Sequence, residues 1–332
     1  MISIVLPVKN VQATIYSCLS SIRAQTYPNF EVVVVDDHSC DHTKTLVKHF
    51  PDDRIRYFEN AGNGLVDALN FGISESRFSY IARMDGDDLM RKERLKLQLR
   101  HFENAPKLAL SAGCASLFPS TDVQKGYLEY IRWQNEVQTS AQILSQIYVE
   151  SPFAHPSVMF RKNDIEAIGG YRDGDFPEDY DLWLRLFIHG YKMEKLPDTL
   201  IDWRESELRT SRTDSRYRRL AFDQLRASYL VQDTRLPFDR PIYFWGAGRP
   251  TRKRAQWLID KGVQPSGWVD IDPKKIGNKV SNVRVISPSE LICQKPKPFV
   301  LIYVTNHGAK EEVSQFLTMH QFNNGDDFLE VG

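Results

Sequence analysis

Apolar and polar positions alternate in regular blocks along the first third of the chain. Short apolar runs that predict buried strands lie at 2–8, 30–35, 55–58 and directly before residue 85. Between them, apolar residues recur at helical spacing over 13–25, 43–50 and 65–75. Strands that alternate with helices predict an open α/β sheet, and the β-branched run at 32–35 indicates a strand covered on both faces.

Beyond residue 115 the pattern is less regular and then resumes as a second alternation. It predicts helices at 128–148, 177–189 and 214–231, and strands at 157–160 and 200–203. A new apolar run at 242–245 is followed by a Gly-x-Gly turn and a further helix, which predicts a small Rossmann-like unit. We therefore expect a first domain over 1–212, a basic helix and linker over 213–240, and a second domain over 241–332.

The composition is that of an ordinary globular protein. The 332 residues are 42% hydrophobic and 26% charged, and no apolar run reaches the length of a membrane span. The four cysteines are far apart and form no Cys-x-x-Cys pair. We therefore expect a cytoplasmic protein with free thiols and without a transmembrane segment, a disulfide framework or a zinc site.

Charge is distributed unevenly although the whole chain is neutral. Residues 1–200 carry 22 basic and 27 acidic side chains, whereas residues 201–255 carry 13 basic and 7 acidic ones. Such a basic segment suits a polyanion such as RNA, or is a solvated arginine-rich helix between two domains.

Acidic residues follow two of the predicted strands. Asp85, Asp87 and Asp88 come directly after one strand, and Asp36 and Asp37 after another. Ligands of open α/β sheets bind beyond the carboxyl ends of the strands, and carboxylate oxygens suit Mg²⁺ or Mn²⁺, which usually accompanies a phosphate. The alternative is a solvated acidic loop, or the cap of a helix that begins near residue 91.

Six sequence blocks, in order, resemble the family 2 glycosyltransferases of the GT-A fold over residues 1 to about 212. They are Pro7-Val8-Lys9-Asn10, Val35-Asp36-Asp37-His38-Ser39, Asn63-Gly64-Leu65 with Ala68-Leu69-Asn70-Phe71-Gly72, Ala82-Arg83-Met84-Asp85-Gly86-Asp87-Asp88, His155-Pro156-Ser157 with Gly169-Gly170-Tyr171, and Glu178-Asp179-Tyr180-Asp181-Leu182-Trp183. The resemblance implies a nucleotide-diphospho-sugar transferase with a small C-terminal Rossmann-like domain.

The resemblance also implies roles on the donor side. The donor would be a UDP-sugar, such as UDP-galactose, UDP-glucose or UDP-GlcNAc. Its binding residues would be Pro7, Val8, Asn10, Asp36, Asp37, Asn63, Arg83 and Asp85. Asp87, with Asp85, would hold Mn²⁺ or Mg²⁺, which neutralises charge on the departing diphosphate.

On the acceptor side, the resemblance implies that Asp179 is the general base of an inverting transfer. Residues expected near the acceptor or the diphosphate are Glu178, Trp183, His155, Arg204 and Arg212. Four of these residues also have a purely structural alternative. Glu178 and Asp179 could cap a helix, Trp183 could pack in the core and His155 could be a buried hydrogen-bonded histidine. One departure is Ser206, where the family often has a histidine near the metal, so that Arg204, Arg209 or Arg212 could carry diphosphate charge instead.

The layout of the whole chain resembles queuosine-tRNA galactosyltransferases and their bacterial relatives. The resemblance rests on Tyr130-x-x-Trp133-x-Asn135 and on Phe244-Trp245-Gly246-Ala247-Gly248. The acceptor would then be tRNA queuosine, or else a surface polysaccharide or lipid-linked glycan. A function of another class is dinucleotide binding through Gly246-x-Gly248 and Asp270, although Thr251 stands where a third glycine is usual. The sequence leaves open the sugar, the acceptor and the oligomeric state.

Overall fold

The first seven-residue strand, Ile2–Val8, is buried along its whole length in an eight-stranded sheet. The computed structural model describes residues 1–119, 123–206, 209–304 and 308–332. They divide into two units, of which the first comprises Met1–Ile143 and Ser151–Arg216 and the second Leu144–Glu150 and Tyr217–Gly332. Across the described ranges, no helix has both the length and the apolar character needed to cross a bilayer.

The strands of the first unit form one mixed sheet. They are β1 (Ile2–Val8), β2 (Phe30–Asp36), β3 (Ile55–Glu59), β4 (Tyr80–Arg83), β5 (Leu89–Met90), β6 (Leu108–Phe118), β7 (Met159–Arg161) and β8 (Lys192–Arg204). Their order is β3-β2-β1-β4-β7-β6-β8-β5. The first four strands are mutually parallel, whereas β7 runs antiparallel to both of its neighbours and β5 runs antiparallel to β8.

Helices connect these strands. They are α1 (Ile15–Arg23), α2 (Thr43–Lys48), α3 (Leu65–Glu75), α4 (Arg94–Asn104), α5 (Lys125–Glu136), α6 (Ser140–Gln146), α7 (Lys162–Ala167), α8 (Glu178–Ile188) and α9 (Thr210–Thr213). The apolar face of α1, with Ile15, Leu19 and Ile22, packs into a core shared with β1 and β2. The alternating pattern thus places three parallel strand ends, those of β1, β2 and β4, at one edge of the sheet.

Side-chain hydrogen bonds break two of the predicted helices. The helix expected over 128–148 is interrupted between α5 and α6, because Gln142 Oε1 accepts the backbone N–H groups of Gln138 and Thr139 at 3.1 and 2.9 Å. The helix expected over 214–231 begins only at Arg219, because Asp214 accepts the N–H of Arg216 at 2.9 Å. Such local bonds offer the backbone an alternative to the helical ladder.

The strand expected over 157–160 is also wrong at its start. A single 3₁₀ turn covers His155–Ser157, and strand β7 begins only at Met159. Pro156 fixes the start of this turn, and the Ser157 hydroxyl donates to the carbonyl of Ala154 at 2.7 Å.

The second unit has a six-stranded sheet of its own. Its strands are β9 (Ile242–Trp245), β10 (Gly267–Val269), β11 (Lys279–Val280), β12 (Val283–Ile286), β13 (Phe299–Ile302) and β14 (Phe328–Glu330), in the order β11-β12-β10-β9-β13-β14. Its helices are α10 (Arg219–Leu230), α11 (Arg249–Ile259), α12 (Pro288–Ile292) and α13 (Ala309–Met319). All strand pairs but β11–β12 are parallel, which agrees with the predicted Rossmann-like pattern.

Candidate active site

The acidic residues predicted beyond the strand ends come together at the carboxyl edge of the first sheet. Strand β1 pairs in parallel with β2 on one side and with β4 on the other. One oxygen from each of Asp85, Asp87 and Asp88 lies within 4.8 Å of the others, so three carboxylates share one site. Mutual repulsion at this range makes the cluster costly unless a cation or protons neutralise it.

Burial and repulsion act together on the pKa values of this cluster. Asp88 is only 1% exposed, and burial, followed by the charges of Asp85 and Asp87, raises its pKa well above the usual range. Burial also raises the pKa of the half-buried Asp87, and the charge of Asp85 adds to this effect. Without a bound cation, Asp87 and Asp88 therefore bind protons more readily than exposed aspartates do.

The loop that carries the cluster is held from behind by two helical side chains. The Thr14 hydroxyl donates to the carbonyl of Gly86 at 3.0 Å, and the Cys18 thiol donates to the carbonyl of Asp85 at 3.2 Å. A Cβ atom on Gly86 would lie 3.1 Å from both Val8 and Val11, so the loop packs closely against the end of β1. The acids therefore stand on a rigid support.

The end of β8 fixes the same loop from the other side. The backbone N–H of Arg204 donates to Asp88 Oδ1 and its Nε donates to the carbonyl of Asp87, both at 2.7 Å. Asp88 Oδ2 has no hydrogen-bond partner among the described residues. A hard divalent cation accepts such carboxylate oxygens, so the donor set fits Mg²⁺ or Mn²⁺.

Asp36 and Asp37 end β2 beside this cluster and are both buried. Asp36 accepts the N–H of Ser39 at 2.9 Å and the hydroxyl of Tyr57 at 2.7 Å. Asp37 accepts from Lys9, Asn60 and the N–H of Gly64 at 2.8 to 2.9 Å. Burial alone would raise the pKa of Asp37, but these hydrogen bonds hold it below the usual range.

These contacts show how the predicted donor residues are placed. Pro7 and Val8 are buried within β1, and the Val8 carbonyl accepts the N–H of Asp37 at 2.8 Å. Asn10 is exposed at φ 53° and its Oδ1 accepts the N–H of Cys40 at 2.8 Å. Asn63 is exposed in the loop before α3. Sequence reasoning gave no role to Tyr57 or Asn60, because nothing local marks a residue on β3 or after it as a partner of β2.

Arg83 lies beneath the cluster and is 3% exposed. Its Nη1 pairs with Asp85, and its Nε has no hydrogen-bond partner in the described part of the chain. Burial alone would lower the pKa of Arg83, but the charge and the hydrogen bond of Asp85, together with the charge of Asp88 and other neighbours, outweigh burial and raise that pKa. Arg83 is therefore a buried counter-charge to Asp85.

Helix α8 begins with the acidic pair Glu178 and Asp179 after Pro177. Glu178 is 1% exposed, while Asp179 is half-buried and accepts the N–H of Tyr180 at 2.7 Å. Burial, followed by the charge of Glu178, raises the pKa of Asp179 to about 8, and Arg83 opposes this rise. A carboxylate with this pKa is a much stronger base than an exposed one.

The two aromatic residues predicted on the acceptor side, Trp183 of α8 and His155 of the turn before β7, are both buried. His155 Nε2 shares a hydrogen bond with the Tyr171 hydroxyl at 2.8 Å, and its Nδ1 lies 3.6 Å from Glu178 Oε1. Burial lowers the pKa of His155 well below the usual range, so the ring is neutral. Trp183 has no exposed area and packs edge-on against Phe153 and His155, so the acceptor-pocket role is corrected to core packing.

The three arginines considered for the diphosphate differ in their surroundings. Arg204 holds the acidic loop from the side of β8, as described above, and Arg212 pairs with Glu205. Arg209 donates to the Tyr127 hydroxyl at 2.6 Å, and its charge opposes the rise in the pKa values of Asp87 and Asp88. Of these three arginines, Arg209 is thus the one whose charge acts on both carboxyl groups, and its spacing in the sequence does not distinguish it from Arg212.

Comparison with protein-family models decides the class. Residues 3–169, about half of the chain, match the model described as glycosyl transferase family 2. The chain belongs to this family. It is therefore a glycosyltransferase, as the motifs predicted.

Three curated bacterial relatives each match more than half of the chain. The O-antigen biosynthesis glycosyltransferase WbnJ of Escherichia coli is 26% identical over 68% of this chain and 88% of its own length. The amylovoran biosynthesis glycosyltransferase AmsE of Erwinia amylovora is 30% identical over 55% and 68%. The UDP-Gal:alpha-D-GlcNAc-diphosphoundecaprenol beta-1,3-galactosyltransferase of Escherichia coli is 27% identical over 60% and 72%.

Solved structures confirm the predicted fold. The TarS protein of S. aureus in complex with UDP-GlcNAc matches with a TM-score of 0.57 and 16% identity, over 78% of this chain and 70% of that one. The mannosyltransferase PcManGT of Pyrobaculum calidifontis, in complex with GDP-Man and Mn²⁺, matches with a TM-score of 0.50 and 20% identity, over 70% and 62%. The chain thus has the GT-A fold.

Proposed function

We propose that the protein transfers a sugar from a UDP-sugar to a hydroxyl group of a surface polysaccharide precursor or lipid-linked glycan, with inversion at the anomeric carbon. The observation that carries this proposal is that two features interact with one buried side chain, Arg83, which pairs with Asp85 and opposes the rise in the pKa of Asp179. Three carboxylates within 4.8 Å form an oxygen site for a divalent cation. A half-buried carboxylate with a pKa of about 8 opens the helix nearby.

The donor side is built from β1, β2 and β4. Asp36 and the loop through Asn10 would hold the uridine, with Pro7, Val8, Asp37 and Asn63 shaping that loop. Asp87 and Asp85 would hold Mn²⁺ or Mg²⁺, which when bound stabilises negative charge on the diphosphate. The TarS complex with UDP-GlcNAc and the PcManGT complex with Mn²⁺ support a UDP-sugar and a divalent ion on this fold.

The acceptor side depends on Asp179. Its carboxylate would take the proton of the acceptor hydroxyl while that oxygen forms the new bond to the anomeric carbon and the bond to the diphosphate breaks. A single displacement of this kind inverts the anomeric centre and needs no covalent enzyme intermediate. Glu178 keeps the pKa of Asp179 high, and Arg209 and Arg204 would offset the charge that develops on the leaving diphosphate.

The names of the relatives favour a glycan acceptor. The three relatives described above are named for O-antigen, for amylovoran and for a diphosphoundecaprenol-linked sugar. Part of the positive charge of the segment that suggested tRNA is already paired with aspartates of the protein itself. Arg216 pairs with Asp214 at 2.7 Å and with Asp173 at 3.4 Å. tRNA queuosine is therefore the second candidate.

The dinucleotide alternative finds less support in the second unit. Asp270, whose carboxylate would have to bind a ribose, accepts the N–H groups of Ala247 and Asp272 at 2.9 Å and pairs with Lys275 at 3.1 Å. A ligand would have to displace these internal bonds.

The test is a panel of UDP-sugars with Mn²⁺, in which UDP release is followed with two acceptors. One acceptor is a GlcNAc-diphosphate carrying a short lipid chain, and the other is tRNA that contains queuosine. We expect UDP release to depend on Mn²⁺ and on the lipid-linked sugar. Release that depends on tRNA alone would overturn the glycan proposal, and a lack of release with every donor would overturn the assignment of a UDP-sugar.

A further inference from the structure

Among the exposed cations of the second unit that have no acidic partner in the described part of the chain, four belong to one region of the fold. Arg249, Arg252 and Lys253 belong to α11, and Lys274 lies in the loop after β10. The ion pairs of this unit involve other side chains, such as Lys275, which is held by Asp270 and Asp272. These four charges therefore contribute nothing to the internal pairing of the unit.

The four cations lie on one edge of the second sheet. Positions three and four residues apart share a helix face, so Arg249, Arg252 and Lys253 project from the same side of α11, away from the buried Leu258. Strands β9 and β10 are parallel neighbours, and their following loops meet where Asp270 accepts the N–H of Ala247 at 2.9 Å. Lys274 thus belongs to the edge from which α11 begins.

The position of Arg249 is unfavourable for the helix itself. The N-terminal end of a helix carries partial positive charge, so cations there cost stability while acidic residues add to it. The first turn of α11 holds no acidic residue and begins with Arg249. An external anion would offset this repulsion.

An exposed apolar side chain lies at the same edge. Ile271 directly follows Asp270 and is 74% exposed, one of the highest values for a large apolar residue in the described chain. We call Arg249, Arg252, Lys253, Lys274 and Ile271 together the cationic edge. Cations at the same sheet edge as an exposed apolar side chain suit the interface of an anionic bilayer, where the charges meet head groups and the side chain enters the acyl boundary.

We propose that the cationic edge docks the second unit onto an anionic lipid surface. The inference rests on the proposed function in one respect, since an acceptor attached to a lipid is confined to a bilayer. It adds a role for the second unit, which supplies the attachment that the chain's described helices do not provide by spanning. The other polyanion considered above, tRNA, is the alternative occupant that the experiment tests.

The experiment is flotation of the full chain with vesicles of phosphatidylglycerol and phosphatidylethanolamine in equal parts, compared with vesicles of phosphatidylcholine. We expect binding only to the anionic vesicles, and loss of binding at high salt. Each basic residue near such a surface contributes about fivefold to partitioning, so Arg252→Gln with Lys253→Gln should weaken it about twenty- to thirtyfold.

Two further variants make the comparison specific. The matched control removes the same charge from exposed lysines elsewhere, Lys107→Gln with Lys261→Gln, and should bind nearly as well as the native chain. Ile271→Ser keeps every charge and should weaken binding a few-fold at both salt concentrations, because it removes only the apolar contact. If Arg252→Gln with Lys253→Gln weakens vesicle binding no more than the control pair does, the proposal is wrong.

The outcome is separable from that of the transfer reaction. Flotation needs neither donor nor acceptor, and UDP release with a water-soluble acceptor should be the same for Arg252→Gln with Lys253→Gln as for the native chain. Vesicle binding without any transferase activity would refute the proposed function and leave the docking surface standing. If the same two substitutions abolish binding of tRNA and the vesicles are not bound, the surface is one for RNA and the lipid proposal is wrong.

Discussion

Burial and hydrogen bonding give different pKa values to the carboxyl groups of the candidate active site. Asp37 receives three hydrogen bonds, which hold its pKa down, whereas Asp88 and Asp179 are desolvated beside other acids and have raised pKa values. The side chains are chemically the same, so the partners of each one decide whether it is a fixed structural anion or a proton acceptor.

Asp179→Asn should lower the rate of transfer about 10²–10⁴-fold, because the amide cannot take a proton. The amide oxygen can still accept the N–H of Tyr180, so the start of α8 should remain intact. Single-turnover rates and UDP-sugar affinity separate the two effects. Weak donor binding with normal chemistry would instead give Asp179 a structural role.

The pH dependence of the native enzyme should follow the same group. Since the folded pKa of Asp179 is about 8, the ionised base increases as pH rises toward that value, and the transfer rate should rise with it. Stability should change in the opposite direction, because between about pH 4 and 8 the folded state binds this proton more tightly than the unfolded state does. Asp179→Asn should therefore flatten both the rate profile and the fall in stability.

Asp87→Asn should abolish Mn²⁺-dependent UDP binding. It should also raise the melting temperature of the metal-free chain, because it removes one of the charges that burial and Asp85 make unfavourable. Thermal melts with and without Mn²⁺ test both statements, since an ion that binds only the folded state stabilises it. The exposed Asp53→Asn is the control and should leave both melts unchanged. A normal Mn²⁺-induced shift in Asp87→Asn would contradict the assignment.

At the scale of elements, the sequence predicted those that periodicity and burial determine together. Strands β1 and β2 lie where continuous apolar runs stand, and α3 occupies its predicted range of 65–75. Elements whose ends depend on single side-chain bonds were placed wrongly, as at Gln142 and Asp214. Such bonds join groups that have many possible partners, so the local pattern does not select them.

Trp183 shows the same limit of sequence-based prediction within the candidate active site. The spacing of residues along a helix does not show whether a given side chain faces the core or a pocket. Trp183→Ala should lower the free energy of unfolding by about 3–5 kcal/mol, as loss of a buried indole leaves a cavity. Trp183→Phe keeps an aromatic ring against Phe153 and should cost less, with the acceptor KM unchanged. Denaturant titration and acceptor kinetics give the two readouts. A raised acceptor KM at native stability would restore the pocket role.

At the scale of the whole molecule, each of the two units of the described chain has hydrophobic core residues of its own. Composition and alternation could predict two α/β units, since each repeats the strand–helix pattern. They could not predict which charges remain unpaired, because pairing depends on contacts such as Arg226 with Glu150, which lie 76 positions apart. For this reason the cations that we propose to bind a polyanion are fewer than the basic residues of the segment 201–255.

Gly246→Ala tests whether the second unit can be destabilised without affecting the first. Gly246 has φ 112°, and an added Cβ would lie 2.8 Å from Thr251 and 3.1 Å from Val304, so alanine should destabilise the second unit by about 1–3 kcal/mol. Hydrogen exchange should become faster in β9, β10 and β13 and stay unchanged in β1 and β2. Faster exchange in both sheets would show one cooperative unit. Gly248→Ala is the control, since its φ is −70° and the nearest atom lies 3.9 Å away.

The raised pKa of Asp88 has a consequence for calorimetry. Because a bound divalent cation lowers this raised pKa, the cluster holds fewer protons with the metal than without it. The buffer absorbs the protons that are released, and its own heat of ionisation is added to the measured enthalpy. Titrations of Mn²⁺ in PIPES and in Tris at one pH should thus give different heats for one affinity, and the slope of heat against buffer ionisation enthalpy counts the protons released.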